Sequence, residues 1–332
     1  MELVSVDIGG THARFALASV GADGVVHLQP ETTLHTRDHA SFESAWAHFA
    51  ELNGGALPRA VSLAVAAPVG GEAIQFTNNP WVIYPGQLRE RLNVDAVTLI
   101  NDFGAVGHAV ARAGDAHFIH LAGPDVDLPA NGTISVVGPG TGLGVAHVWR
   151  DAAMDGGRGF YHVQSTEGGH IDFAPLDAIE DAILARLRQR HRRVSVERVV
   201  AGPAIVDIYE TLAALEGRPF TPLDDRTIWT RGTSAEGRQQ DVLAAAAVDR
   251  FCLSLGSAAG DYALAHGASA VVIAGGLGLR IKDTLMASGF ADRFRAKGRF
   301  EKLMSTIPVR LITHPQPGLL GAAAAFHKEH AA

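Results

Sequence analysis

Residues 4–11 read VSVDIGGT, and residues 134–141 read ISVVGPGT. Each stretch is a short apolar run, typical of a buried strand, that ends in glycine and threonine. Each is followed by a second strand-like run, so each predicts a hairpin. A gapless alignment of Val4 with Ile134 gives five identities in 13 positions. The sequence therefore predicts a duplicated strand–turn–strand unit, although two glycine-rich hairpins can also match by chance.

Strand and helix patterns alternate along the rest of the chain. Further strands are predicted at 60–66, 97–100, 270–274 and 309–312. Helices are predicted after the N-cap candidate Ser41 and at 87–92, 176–189, 204–215, 241–266 and 318–328. Such alternation favours an α/β fold, in which buried strands read as continuous apolar runs.

Composition narrows the class of protein. The 332 residues are 47% hydrophobic and 19% charged, which favours a folded chain with a full core. The net charge of −7 and only four lysines disfavour a nucleic-acid partner. The single cysteine, Cys252, excludes a disulfide within the chain and a cysteine-based zinc site. The N-terminus has no basic leader and no apolar run approaches the ~18 residues of a membrane span, so we expect a cytoplasmic protein without membrane contact.

The segment from Asp7 to Thr11 has the features of a phosphate-binding turn. Gly9 and Gly10 allow backbone N–H groups to approach phosphate oxygens, and Thr11 adds a hydroxyl donor. Asp7 is a candidate ligand for Mg²⁺, directly or through water. An ordinary hairpin turn explains the same five residues, so this fragment alone leaves both interpretations open.

A second glycine-rich loop spans residues 138–144, GPGTGLG. Gly138, Gly140, Thr141 and Gly142 are its candidate phosphate contacts. A dinucleotide fingerprint fails in either frame, and the chain after the loop reads as a strand rather than a helix. A Walker A loop is absent because no Gly-Lys dipeptide occurs. A third glycine pair, Gly275-Gly276, follows an apolar strand and would allow an adenosine to lie against the backbone, but a helix-packing turn is an equal alternative.

The candidate acceptor site begins at Asn101-Asp102, directly after a predicted strand. Asp102 can accept a proton from a substrate hydroxyl, and Asn101 can both donate to and accept from a sugar. The letters DFG at 102–104 are typical of protein kinases, but the chain lacks HRD and VAIK, which excludes that class.

Three further polar residues are candidates for holding a sugar. Glu167 and His170 flank a double glycine and suit vicinal hydroxyls better than a metal, which lacks a third ligand at a recognised spacing. Glu197 follows the N-cap candidate Ser195, so helix capping is an alternative role for it. The arginine-rich stretch 186–193 reads as a solvated face rather than a nucleic-acid site.

Seven motifs, in this order, resemble those of bacterial glucokinases of the enteric type. They are DIGGTHAR (7–14), NDFGAV (101–106), GPGTGLGVA (138–146), EGGHIDFAP (167–175), ERVVAGP (197–203), VVIAGG (271–276) and PGLLGAA (317–323). The resemblance covers nearly the whole chain. ROK-type sugar kinases carry a cysteine-rich zinc motif, which a single cysteine excludes.

The resemblance implies a two-lobed, actin-like ATPase fold of the ribonuclease H-like kind with a central cleft. A small lobe would take residues 1–112 plus 312–332, and a large lobe residues 113–311. It also implies a homodimer, with ATP, Mg²⁺ and glucose as ligands. Pro139 departs from the family loop, which often has a small residue there, and its missing N–H would remove one phosphate contact.

Residue by residue, the resemblance implies that Asp102 is the general base for the glucose 6-hydroxyl. The other hydroxyls would be bound by Asn101, Glu167, His170, Glu197 and, with a weaker match, Asn79. The phosphate loops would be Val6, Asp7, Ile8, Gly9, Gly10 and Thr11 together with Gly138, Gly140, Thr141 and Gly142, while Gly275 and Gly276 would lie at the adenosine.

The predicted function is therefore transfer of the ATP γ-phosphoryl group to D-glucose, giving glucose 6-phosphate. A hexose kinase of other or broader specificity remains open, as does polyphosphate as donor. A catalytically weak sugar-sensing protein is disfavoured because Asp7 and Asp102 are both present. A filament-forming actin-like ATPase is disfavoured by the EGGH motif at 167–170.

Overall fold

A computed structural model of the chain describes residues 1–76, 79–153 and 160–331. It divides the chain into two compact units. The first comprises Met1–Gly114, Val163–Ser165 and His314–Ala332, and the second Asp115–His162 and Thr166–Thr313. Each unit has its own mixed sheet and its own helices, so the predicted α/β class is confirmed.

The first unit contains eight strands and four α-helices among its described residues. The strands are β1 (Glu2–Ile8), β2 (His12–Val20), β3 (Val26–Leu28), β4 (Thr32–His35), β5 (Ala60–Val65), β6 (Ile74–Gln75), β7 (Val82–Ile83) and β8 (Ala96–Asn101). The helices are α1 (Phe42–Leu52), α2 (Leu88–Leu92), α3 (Asp102–Arg112) and the C-terminal α13 (Pro317–His330). The main sheet has the order β3-β2-β1-β5-β8, with β4 also paired to β2.

The parallel strands of this sheet end at one edge. β1 is parallel to β5, and β5 is parallel to β8, with Ile8 opposite Val65 and Val65 opposite Asn101. Ser41 caps α1 as predicted, because its side chain accepts from the Ser44 N–H in a capping box. The register brings the glycine turn after β1 and the start of α3 to the same edge.

The second unit contains six strands and nine α-helices among its described residues. The strands are β9 (Phe118–Ala122), β10 (Gly132–Pro139), β11 (Leu143–Asp151), β12 (Phe160–Thr166), β13 (Ala270–Ile273) and β14 (Val309–Ile312), in the order β12-β11-β10-β13-β14-β9. The helices are α4 (Ala178–Arg188), α5 (Ile205–Leu215), α6 (Asp225–Thr233), α7 (Ala235–Gln240), α8 (Val242–Ala265), α9 (Gly275–Arg280), α10 (Lys282–Ala287), α11 (Phe290–Arg295) and α12 (Glu301–Met304).

The predicted duplication is present in the topology. β10 is antiparallel to β11 and parallel to β13, just as β1 is antiparallel to β2 and parallel to β5. The registers differ by one residue: the alignment matches Ile8 with Gly138, but Ile8 pairs with Ala13 whereas Gly138 pairs with Gly144. The second connection is therefore one residue longer between matched positions, and the gapless alignment is out of register in the second strand of the hairpin.

Helix α8 corrects one expectation from the sequence. By length and composition it is apolar enough to span a membrane, contrary to the prediction that no such run exists. Most of this helix is buried in the core of the second unit, where it packs against α5, α6 and α11.

Cys252 is fully buried in α8, and burial raises the pKa of its thiol to about 12. The cysteine is therefore an inert core residue, as predicted.

Candidate active site

The turn between β1 and β2 is held by hydrogen bonds to its backbone. The Gly9 N–H donates to the His12 carbonyl at 2.9 Å, and the Thr36 hydroxyl donates to the Gly10 carbonyl at 3.1 Å. Thr11 is exposed, whereas the flanking Val6 and Ile8 have fully buried side chains. A ligand can therefore reach Val6 and Ile8 only through their backbone groups.

Asp7 lies at the end of β1 between a cation and a helix. The Arg14 guanidinium donates to Asp7 Oδ2 at 3.3 Å. On the other side, a Cβ added to Gly318 in the first turn of α13 would come within 2.7 Å of Asp7 Oδ2, so only glycine leaves room for the carboxylate there. Burial raises the pKa of Asp7 above its usual range, and the nearby Arg14 only partly opposes this effect.

Replacing Asp7 with asparagine is expected to leave the fold at least as stable, although activity falls. Because the pKa of Asp7 is raised, the folded protein holds its proton more readily than the unfolded chain. The stability from this group therefore falls as pH rises from about 3.8 through the folded-state pKa, and stays lower above it. In metal-free buffer, the Tm of the wild type should fall relative to Asp7→Asn over this pH window. A rise in the Tm of the wild type relative to Asp7→Asn over this window would contradict the account. Arg14→Gln should enlarge the expected fall in Tm, because it removes the cation beside Asp7.

Asn101 and Asp102 form the junction between β8 and α3. Asn101 is the N-cap of α3, and its Oδ1 accepts from the N–H groups of Phe103 and Gly104 at 2.9 and 3.2 Å. This leaves the Nδ2 group of Asn101 to donate to a ligand. Asp102 is the first residue of the helix, and its Oδ1 accepts from the Phe103 N–H at 2.8 Å. A carboxylate at this position is a group that can accept a proton from a hydroxyl.

Asn79 has a role that the sequence did not suggest. Its Nδ2 donates to the Gly9 carbonyl at 3.3 Å, and its Oδ1 accepts from the Trp81 N–H at 3.0 Å. Asn79 is buried and ties the first glycine turn to the chain before β7. Its contact with a sugar stays a prediction, and the adjoining residues 77–78 of the same motif lie outside the described part of the chain.

The turn between β10 and β11 is built from close backbone contacts. The Gly140 N–H donates to the Gly142 carbonyl at 2.8 Å, and the Gly202 N–H donates to the Gly140 carbonyl at 2.7 Å. Thr141, between the two glycines, is exposed. Gly138 lies within β10 opposite Gly144. The hydrogen bond from Gly202 thus fixes the turn, while the Thr141 side chain is exposed to solvent.

Glu197 is linked directly to this turn. It lies on a short 3₁₀ helix, Val196–Arg198, and its Oε2 accepts from the Leu143 N–H at 2.8 Å. A Cβ on Gly142 would come within 2.5 Å of the same oxygen, so glycine is required beside it. Ser195 precedes the 3₁₀ helix but makes no side-chain cap, so its predicted capping role is wrong. The Glu197 carboxylate binds the loop rather than capping its own helix.

Glu167 and His170 flank a 3₁₀ turn, Gly168–His170, at the end of β12. Glu167 Oε2 lies 3.7 Å from His170 Nε2, and both side chains are largely exposed. The double glycine between them packs on β11, since a Cβ on Gly169 would lie 2.3 Å from the Leu143 carbonyl oxygen. Within the described ranges no group of three His, Cys, Asp or Glu residues could hold a metal. Binding of sugar hydroxyls by Glu167 and His170 stays a prediction.

Gly275 and Gly276 begin α9 directly after β13. Gly275 has φ +82°, and a Cβ there would come within 2.6 Å of the Pro139 carbonyl oxygen. Gly275 therefore serves the packing of α9 against β10, whereas a Cβ on Gly276 would meet nothing within 4 Å. Contact of the two glycines with an adenosine stays a prediction. Pro139 is the last residue of β10 and pairs with Leu143. Whether Pro139 costs a phosphate contact stays a prediction.

These parts define a class of protein. Two sheets each carry a glycine turn after a central strand, and one of them also carries a carboxylate after the parallel strand β8, two strands from β1. This is the arrangement of a two-lobed sugar kinase with the actin-like ATPase fold. A solved ROK hexokinase from Thermus thermophilus shares the fold, with a TM-score of 0.67 at 20% identity over 99% of each chain.

The chain belongs to the glucokinase family, whose profile matches residues 4–329. It is similar to a glucokinase of Zymomonas mobilis, with 57% identity over 99% of each chain. It is also similar to a glucokinase of Paramagnetospirillum magneticum, with 37% identity over 97% of this chain and 96% of the relative. The solved glucokinase from an Antarctic psychrotroph has a TM-score of 0.85 at 32% identity and covers 98% of this chain and 99% of its own.

Proposed function

We propose that this chain transfers the γ-phosphoryl group of ATP to the 6-hydroxyl of D-glucose. Membership of the glucokinase family supports the reaction and both substrates. The observation that carries the proposal is the register of the first sheet, in which Ile8, Val65 and Asn101 are aligned. Two strand spacings, about 10 Å, therefore separate the glycine turn from the start of α3.

Asp102 is the general base of the proposed reaction. It accepts the proton of the glucose O6 as O6 forms its bond to the γ-phosphorus. The bond between that phosphorus and the bridging oxygen of ADP breaks at the same time, and ADP leaves. The glycine turns with Thr11 and Thr141 hold the phosphate groups, so that positioning and charge stabilisation supply most of the rate.

Mg²⁺ is the proposed metal, with Asp7 as its protein contact. A magnesium ion in a kinase is usually held by one or two carboxylates together with substrate phosphates, so a single aspartate suits it. Burial raises the pKa of Asp7, and Arg14 at 3.3 Å opposes this only in part, so a second cation beside the carboxylate would stabilise its ionised form. When bound, the ion neutralises charge on the phosphate oxygens.

The proposed contacts with the sugar hydroxyls are the side chains of Asn101, Glu167, His170 and Glu197. Asn79 is a further proposed sugar contact, and its Nδ2 group also holds the Gly9 turn. We further propose that the two units are the lobes 1–112 with 312–332 and 113–311, and that the enzyme is a cytoplasmic homodimer.

Glucose is expected to be preferred over its epimer mannose by about 5- to 150-fold in kcat/KM. An epimer leaves a polar group without a partner, at a cost of about 1–3 kcal/mol in the transition state. An assay that quantifies the sugar phosphate formed from glucose, mannose, fructose and glucosamine, each with ATP or polyphosphate as donor, measures both preferences. Equal kcat/KM values for all four sugars would contradict the proposed recognition. Activity with polyphosphate alone would contradict ATP as donor.

A further inference from the structure

Transfer of a phosphoryl group needs positive charge against the phosphate oxygens. P-loop enzymes supply it from a lysine that follows the glycine loop, and this chain has no Gly-Lys dipeptide. Its four lysines lie at 282, 297, 302 and 328, far in sequence from both glycine turns. Arginine is the other side chain that carries a full positive charge at neutral pH and suits phosphate.

A recess of about 120 Å³ opens beside the Gly140–Gly142 turn, within the second unit. Its walls include Thr141, His191, Arg198 and the segment 201–204. The Gly202 N–H in that segment is bonded to the Gly140 carbonyl, so the recess is continuous with the turn. A volume of this size has room for several water molecules, and so for a phosphate group.

Two carboxylates also line the recess, and both already have partners. Asp207 is bonded to Arg190, and Arg186 Nε lies 3.7 Å from the same carboxylate oxygen. Glu197 accepts the Leu143 N–H at 2.8 Å. Two arginines therefore neutralise Asp207, whereas Glu197 is held to the turn by a backbone hydrogen bond.

Arg198 differs from these neighbours. Its backbone N–H donates to the Ser195 carbonyl at 3.0 Å, but its exposed side chain has no hydrogen bond or ion pair within residues 1–76, 79–153 and 160–331. The neighbouring His191 has a lowered pKa, because of desolvation first and then because Arg198 and Arg190 are close by. A histidine disfavoured as a cation by adjacent arginines indicates a positive potential at this wall of the recess.

We propose that Arg198, together with Thr141 and His191, binds a phosphate group of the nucleotide. This inference rests on the proposed kinase function and adds a cation to its phosphate site. Arginine suits the role because its planar guanidinium can donate two parallel hydrogen bonds to phosphate oxygens. We expect the phosphate group to belong to the nucleotide rather than to the sugar phosphate, because the recess is continuous with the second glycine turn. Through Pro139, that turn also contacts Gly275, at the predicted adenosine position.

The test compares Arg198→Gln with the control Arg192→Gln. Arg192 is also an exposed arginine, six positions earlier, but it does not line the recess. Calorimetry gives the Kd of ADP, adenosine and glucose 6-phosphate for each folded variant. Arg198→Gln should raise the Kd of ADP by about 10- to 100-fold and leave that of adenosine within twofold. Arg198→Lys should recover part of the ADP affinity, and Arg192→Gln should match the wild type.

Three results would overturn the inference. Unchanged ADP affinity in Arg198→Gln would remove Arg198 from the site. Equal losses for ADP and adenosine would indicate a structural role. A loss confined to glucose 6-phosphate would assign the recess to the sugar product. If the wild type phosphorylates no hexose, the proposed function fails separately, because ADP binding and its dependence on Arg198 are measured without turnover.

Discussion

Replacing Asp102 with asparagine is expected to lower kcat by about 10²- to 10⁴-fold, the usual contribution of a general base. The amide keeps the size of the side chain and can still accept the Phe103 N–H that the carboxylate accepts at 2.8 Å. The fold and the glucose Kd should therefore change little. Steady-state kinetics gives kcat, and calorimetry gives the affinity for glucose in the absence of nucleotide.

Asp38→Asn is the matched control for this experiment. Asp38 is an exposed aspartate of the same unit that pairs only with Arg37 at 3.6 Å, so its loss should leave kcat unchanged. If Asp102→Asn retains more than about a tenth of wild-type kcat, Asp102 is not the base. If it loses glucose binding together with turnover, the residue acts in binding rather than in proton transfer.

Replacing Gly321 with alanine is expected to lower the unfolding free energy by about 3 kcal/mol, at the upper end for overpacked sites. A Cβ at Gly321 on α13 would lie 1.7 Å from the Ala105 carbonyl oxygen on α3. A backbone atom cannot move aside as a side chain can, so the two helices must separate. Because α3 begins at Asp102, kcat should also fall. Thermal unfolding should show a Tm lower by roughly 5–10 °C.

Gly70→Ala is the control for this prediction. A Cβ at Gly70 meets nothing within 4 Å, and its φ is not positive. Its effect on the unfolding free energy should stay within about 0.5 kcal/mol. A Gly321→Ala protein as stable as Gly70→Ala would show that α3 and α13 are not packed as closely as described. Packing against α13 would then not fix the position of Asp102 at the start of α3.

The fold could be predicted where apolar periodicity and local signals agree. The strand 309–312 and the cap of α1 by Ser41 were predicted at the observed positions. Helix α3 was not predicted, because Gly104 and Gly107 give it low helix propensity. The space they leave is used in packing, since a Cβ at Gly107 would lie 2.5 Å from Val163. Tertiary contact therefore decides this helix, and sequence periodicity does not reveal it.

Site residues could be recognised from the sequence by type but not by their partners. Glu167 and His170 were selected as ligand contacts by the double glycine between them, yet Gly169 is needed to pack on β11. Glu197 suggested a cap, yet its partner is Leu143, 54 residues earlier. Arg198 lies in the quoted motif ERVVAGP and was passed over, because only the fold shows that it and Thr141 line the same recess. Partners that are distant in the sequence are brought together only by the fold, so they cannot be identified from a single sequence.

The central claim is that this chain makes glucose 6-phosphate from ATP and glucose. The most direct measurement incubates the purified protein with ATP, Mg²⁺ and glucose, and follows ³¹P NMR of the mixture. The account predicts that the γ-phosphate signal declines as one sugar phosphate on O6 appears in equal amount with ADP, and that neither change occurs when glucose is omitted. Release of inorganic phosphate at the same rate with and without glucose, and no sugar phosphate, would contradict it.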